Sequence, residues 1–183
     1  RGIRSLYVPY PNETLARRYG QPLEQLMKAL RASLDVDYYQ LGRQAQQLVD
    51  LLQQARKVRI AAPNGTDLTV ELLADRPVVV NDGRLGEDGA EPLYAQLPAG
   101  TVTLAPREDS VQGRWCVPVT FLDTDEVREL ELHFKDGRVE EARAAKGLRI
   151  VQNAMAYVPQ GLRQVGCLSF GLNPGLSTAL PLE

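Results

Sequence analysis

The sequence is poor in the residues that most often build reactive centres. It holds one histidine, His133, and two cysteines, Cys116 and Cys167, in 183 residues. A single imidazole argues against a His-rich metal centre and against a Ser/His/Asp triad. Two thiols make no disulfide framework in a chain this long, so a reducing cytoplasm is the expected setting. No apolar run approaches the length of a membrane span, and no signal-peptide pattern stands at the start. Charge of neither sign dominates: 21 Lys and Arg face 23 Asp and Glu, a net charge of −2 with both signs mixed along the chain. Without a basic stripe or a polybasic helix, neither nucleic acid nor a membrane is an expected partner. Phosphate-binding glycine loops, zinc-finger spacings and nucleophile elbows are all missing.

What is present is the material of one ordinary globular domain, 44% hydrophobic and 24% charged. Asn12 is placed to cap a short helix that ends near Tyr19, with Gly20 as its stop. Pro22 sits where a first helical residue belongs, and Leu23, Leu26, Met27, Leu30 and Leu34 follow at helical spacing. Asp37 is a cap for a further helix with the stripe Tyr38, Leu41, Ala45, Leu48 and Leu52. Near residue 57 the period switches from 3.6 to 2. Strands are predicted around Val58–Ile60, Leu68–Leu72, Val78–Val80, Val102–Leu104, Trp115–Phe121, Leu130–Phe134 and Val139. Pro118 marks its strand as an edge strand, and Asp136-Gly137 reads as a hairpin turn. Residues 81–100 read as a loop, 146–157 as a helix, and 165–172 as a final buried strand. Helices first and mostly antiparallel strands afterwards predict an α+β fold, N-terminal helices packed on a mainly antiparallel β-sheet. Residues 1–56 are then the helical segment and 57–183 the β-rich part of one structural unit.

Few residues qualify as chemical candidates. His133 shares a strand face with Glu129, Glu131 and Lys135, which predicts a solvated face and not a general base. Cys167 lies between Gly166 and Leu168 in an apolar run, so a buried thiol is expected there, and Cys116 alternates with Trp115 and Val117 as a structural strand residue. Glu108-Asp109 and Asp123-Thr124-Asp125-Glu126 are acidic clusters in predicted turns, and their spacing does not match a calcium loop.

Six segments, in order, carry a family resemblance. They are Tyr10-Pro11 with Gly20-Gln21-Pro22-Leu23-Glu24; Val58-Arg59-Ile60 with Gly65-Thr66-Asp67-Leu68-Thr69; Leu97-Pro98-Ala99-Gly100-Thr101-Val102; Ala105-Pro106 with Asp109-Ser110-Val111-Gln112-Gly113; Asp136-Gly137-Arg138-Val139; and Gly171-Leu172-Asn173-Pro174. Together they resemble the middle section of the aminopeptidase T and aminopeptidase S family, over about residues 8–175. That resemblance implies a two-metal aminopeptidase ancestry. Two divalent cations, held by two glutamates, histidines and an aspartate, polarise the scissile carbonyl and activate water. The first glutamate belongs after Leu97-Pro98-Ala99-Gly100, where this chain has Thr101. The second belongs two residues before Ser169, where it has Cys167. The remaining ligands belong beyond the Asn173-Pro174 pair, and the family's N-terminal domain belongs before about Arg1.

A hydroxyl and a thiol do not replace two carboxylates at a hard, oxygen-rich site. The expectation is a domain with no metal cofactor and no catalytic residues of its own, acting in binding or assembly. It is expected to form homo-oligomers and to accept a peptide or small molecule. Two alternatives stand beside it: a fragment of a longer aminopeptidase-like protein, or a divergent hydrolase that reuses the cleft. Arg1 in place of Met, and the terminal Leu182-Glu183, add the expectation of upstream removal and of a possible cloning scar.

Overall fold

The computed structural model describes residues 3–73, 77–86, 92–122, 125–157 and 164–176. They form α1 (Glu13–Tyr19), α2 (Leu23–Leu34), α3 (Tyr38–Gln54) and α4 (Leu148–Tyr157). The strands are β1 (Ser5–Tyr7), β2 (Lys57–Ala61), β3 (Asp67–Glu71), β4 (Val78–Asn81), β5 (Tyr94–Gln96), β6 (Thr101–Leu104), β7 (Gln112–Leu122), β8 (Asp125–Lys135), β9 (Arg138–Arg143) and β10 (Leu168–Gly171). The class is α+β with mainly antiparallel pairing. The change from helix to strand falls between α3 and β2, where the period switches. Compact units are drawn differently: one gathers residues 1–51, 78–103 and 169–183, the other 52–77 and 104–168.

The first unit is built on helices whose ends are chemically specified. Asn12 Oδ1 accepts the Leu15 N–H at 2.9 Å, and Gly20, at φ +61°, ends α1 in the left-handed conformation that glycine adopts without a Cβ penalty. Pro22 occupies the cap position of α2 and not its first helical position. Asp37 Oδ1 accepts the Gln40 N–H at the start of α3. Leu26 and Leu30 of α2 and Leu41, Ala45 and Val49 of α3 are buried. Val49 joins the predicted stripe, and Leu48 is half-buried. This unit also carries a β10-β6-β4 sheet and a parallel β1–β5 pair registering Ser5 with Tyr94. β5 lies inside the segment predicted to be a loop. Three residues in a long-range parallel pair leave no periodic trace for a sequence reading to find.

The second unit is a five-stranded antiparallel sheet, order β2-β3-β7-β8-β9. One face packs on α4 through Val127, Leu130 and Val151, joined by Val117, Leu132 and Ala142. Burying that apolar set drives the sheet and helix together. Asp136 (φ +48°) and Gly137 (φ +76°) make the β8–β9 hairpin as read from sequence. The Pro118 expectation holds for half of its strand. Residues 112–114 of β7 are interior, paired with β3, whereas from Trp115 onward the strand pairs with β8 alone. A proline without an N–H sits in that free-edged half. Opposite it the ladder skips from Val117–Leu130 to Val119–Arg128, and Glu129 turns to φ +50°.

Candidate functional site

Thr101 is the first residue of β6, half-buried, and follows the buried Ala99 and Gly100. Gly100 N–H donates to the Asn81 carbonyl at 2.7 Å, and Leu172 N–H donates to the Gly100 carbonyl at 2.7 Å. Two residues further along β6, Thr103 Oγ1 lies 2.9 Å from Ser169 Oγ of β10. Thr101 itself stands where the resemblance calls for a carboxylate, and the Thr103–Ser169 contact lies two residues beyond it.

Cys167 directly precedes β10, and it is exposed. The expectation of a buried strand over 165–172 is corrected here. β10 spans Leu168–Gly171, only Leu168 in it is buried, and it is an end strand of its sheet. Apolar neighbours in sequence did not bury Cys167, because it falls outside the ladder that would have turned it inward.

His133 and Cys116 lie on the sheet face opposite α4, within two cross-strand rows. One row runs Asp67, Arg114, His133, Glu141; the next runs Cys116, Glu131, Arg143. His133 Nε2 and Glu131 Oε1 are 2.6 Å apart. That hydrogen bond is the main cause that holds the Glu131 carboxyl below the usual carboxylate range; desolvation opposes it, and the His133, Arg114 and Arg143 charges add to it. Cys116 Sγ is 3.8 Å from Glu131 Oε2. The imidazole contacts the carboxylate and not the sulfur. The arrangement is a ladder of compensating charges on an outward sheet face, as the strand-face reading of His133 expects.

A surface depression of about 370 Å³ adjoins the ladder, lined by Asn64, Cys116, Val117, Pro118, Glu129, Leu130 and Glu131. The Asn64 and Glu131 side chains in its lining are already engaged. Asn64 Nδ2 donates to the Cys116 carbonyl at 2.8 Å, and the buried Thr66 hydroxyl bonds both the N–H and the carbonyl of Cys116.

Within the acidic clusters, Asp109 and Glu126 form ion pairs. Asp109 binds Arg107 at 2.8 Å, and Arg107 also reaches Glu71 at 3.1 Å. Asp123 and Thr124 lie outside the described residues. Asp125 and Glu126 belong to β8, not to a turn, because the strand begins earlier than its apolar residues suggest. Glu126 is clamped by Arg128 at 2.7 Å and Lys146 at 2.6 Å, which lower its pKa to about 2. Among the described residues, no group of three or more His, Cys, Asp and Glu is arranged to hold a metal ion.

Comparison with known proteins gives these observations a family. The profile of the thermophilic metalloprotease (M29) family matches residues 6–177. The chain belongs to that family. Wild-type AmpT from Thermus thermophilus superposes with a TM-score of 0.68 at 20% identity, covering 81% of this chain and 38% of that one. The 2,5-dihydroxypyridine dioxygenase of Pseudomonas putida KT2440 superposes with a TM-score of 0.63 at 22% identity, covering 84% of this chain and 43% of that one. These likenesses establish the fold. The chain spans less than half the length of either structure. No curated protein sequence matches it. No helix among the described residues is long and apolar enough to cross a membrane.

At the two positions where the family resemblance asks for glutamates, the chain has Thr101 and Cys167. Thr101 offers a neutral hydroxyl and Cys167 a soft thiol, where hard cations take charged oxygens.

Proposed function

We propose that this chain is an aminopeptidase-T-like domain without a competent two-metal site, serving binding or assembly instead of peptide hydrolysis. The observation that carries this reading is Thr101 and Cys167 at the two positions where the family resemblance asks for glutamates. Two cations in one site repel each other and are held only when carboxylates compensate their charge. A cytoplasmic setting, homo-oligomers and a peptide or small-molecule ligand complete the proposal. Support for self-association comes from exposed apolar residues near the start of the chain and on β5: Ile3, Leu6, Tyr7, Tyr10 and Tyr94.

The test is elemental analysis after dialysis, followed by cobalt or zinc addition and an aminopeptidase assay on leucyl and other aminoacyl substrates. The expected result is no stoichiometric tightly held metal and no amino acid released. Two retained metals per chain, or metal-dependent turnover abolished by Cys167→Ala, sink the reading. Sedimentation at high micromolar concentration tests the oligomer, and a monomer there counts against it.

A second reading is favoured by one specific finding. A dioxygenase shares this fold, so the scaffold supports chemistry other than peptide hydrolysis, and a divergent enzyme reusing the cleft is the alternative. Turnover that persists in Thr101→Ala and Cys167→Ala variants would select it.

A further inference from the structure

The Asn173 side chain is buried and fully engaged. Its Nδ2 donates to the Ser33 carbonyl at 2.9 Å and to the Ala99 carbonyl at 2.8 Å, and its Oδ1 accepts the Gly175 N–H at 2.8 Å. Ser33 lies in the last turn of α2, where carbonyls have no partner further along the helix. Ala99 belongs to the turn that leads into β6. One amide therefore satisfies a helix end, a strand entry and its own following turn. Close packing surrounds it. Gly100, at φ +108°, has no room for a Cβ, which would stand 2.9 Å from the Asn173 backbone nitrogen. A Cβ on Gly175 would run into the Ala32 carbonyl. Leu172 and Gly100 then continue the same set of bonds to Asn81.

We propose that Leu172–Leu176 is a closing strap of the first unit, bolted by Asn173, and that its closure orders the corner Ala99–Gly100–Thr101 together with the C-terminal turn of α2. The strap is a conformational device, independent of whether the domain has any catalytic activity. With Asn173 in place, the corner before Thr101 has one conformation. With it withdrawn, the carbonyls of Ser33 and Ala99 lose their donor in a buried place, and the corner and the helix end loosen together. Each unmatched buried group favours the open form.

Amide hydrogen exchange on the intact chain tests this. In wild type under mild denaturant, the N–H groups of Gly100, Leu172 and Gly175 should open as one step, before the sheet amides around Val117 and Val127. Asn173→Asp keeps the acceptor for Gly175 but replaces the two donated bonds, and Gly175→Ala wedges the strap from α2 while leaving Asn173 intact. Both variants should speed exchange at Gly100 and Leu172 by roughly 10- to 100-fold, leaving Val117 and Val127 protected. The proposal is overturned if those three amides open independently in wild type. It is also overturned if either variant leaves Gly100 and Leu172 unchanged, or if protection falls equally in both units. Should a variant fail to fold, the wild-type measurement alone decides.

Discussion

The two units solve the same problem with polar groups in different places. In the first, the decisive polar contacts are buried: Asn173 bridges Ser33 and Ala99, and the Ser33 hydroxyl donates to the Leu30 carbonyl at 2.7 Å. In the second, apart from Thr66, the side-chain contacts lie at the surface, in the rows from Asp67 to Glu141 and Cys116 to Arg143 and in the ion pairs of Glu126 and Arg107. Buried hydrogen bonds are costly to leave half-made, so they specify one arrangement. Exposed ion pairs are screened and interchangeable, so they tune stability without fixing geometry. The two rows that hold Cys116, Glu131 and His133 belong to the ladder of compensating charges, although one of them contains the chain's only imidazole. Every charge there has a neighbour of opposite sign.

If helix packing carries the first unit, truncating its core should have the largest effect of any single change. Leu26 is fully buried in α2. Leu26→Ala is expected to destabilise by about 2–5 kcal/mol, read as a lower urea midpoint. A shift below about 1 kcal/mol would mean that the helices contribute far less than their burial indicates.

The second unit has a buried polar bridge of its own, and it sharpens the contrast. Thr66 Oγ1 accepts from the Cys116 N–H at 3.0 Å and donates to its carbonyl at 3.2 Å. Thr66→Val keeps the shape and removes both bonds, so the expected cost is about 1–3 kcal/mol. Thr66→Ser, which retains the hydroxyl, should recover most of it. Equal losses for valine and serine in thermal melts would show that the methyl, and not the hydroxyl, matters. A smaller effect belongs to the exposed cap of α1. Asn12→Ala leaves the Leu15 N–H without its acceptor, and the expected loss is about 0.5–2 kcal/mol. Asn12→Asp should be close to neutral in the same melt.

How far the sequence could be read follows the same division between local and distant chemistry. Helix ends were legible because a cap involves residues three apart, as Asn12 with Leu15 and Asp37 with Gln40. The Asp136-Gly137 hairpin and the outward face of His133 were legible for the same reason: period two and turn chemistry are local. β5 was not, because its partner β1 lies at the other end of the unit's sequence. The exposure of Cys167 was not legible either, since apolar neighbours predict burial only for residues inside a ladder. Thr101 and Cys167 could be singled out only through the family pattern. Asn173 was visible as part of a motif. Its role was hidden, because its partners Ser33 and Ala99 lie 140 and 74 residues away in sequence.

The weakest expected effect tests the surface half of the comparison through pH. Glu126 carries hydrogen bonds from Arg128 and Lys146, and these lower its pKa from 4.5 to about 2 in the folded chain. Below pH 2 the carboxyl is protonated folded or unfolded, and the pairing contributes nothing. Above pH 4.5 it is ionised in both states, and the full contribution is present. Between the two values the unfolded chain binds the proton first, so stability from this residue falls as pH drops from 4.5 towards 2. The difference in Tm between wild type and Glu126→Gln should therefore be constant from neutral pH to about pH 5, then shrink steadily on further acidification. Because its partners Arg128 and Lys146 are exposed, molar salt should weaken the whole difference. A difference that persists at pH 2, or that ignores salt, would mean that the glutamine disturbs packing and that Glu126 is not acting as a charge. This surface ion pair would then be closer to the buried bridges of the first unit than the geometry suggests.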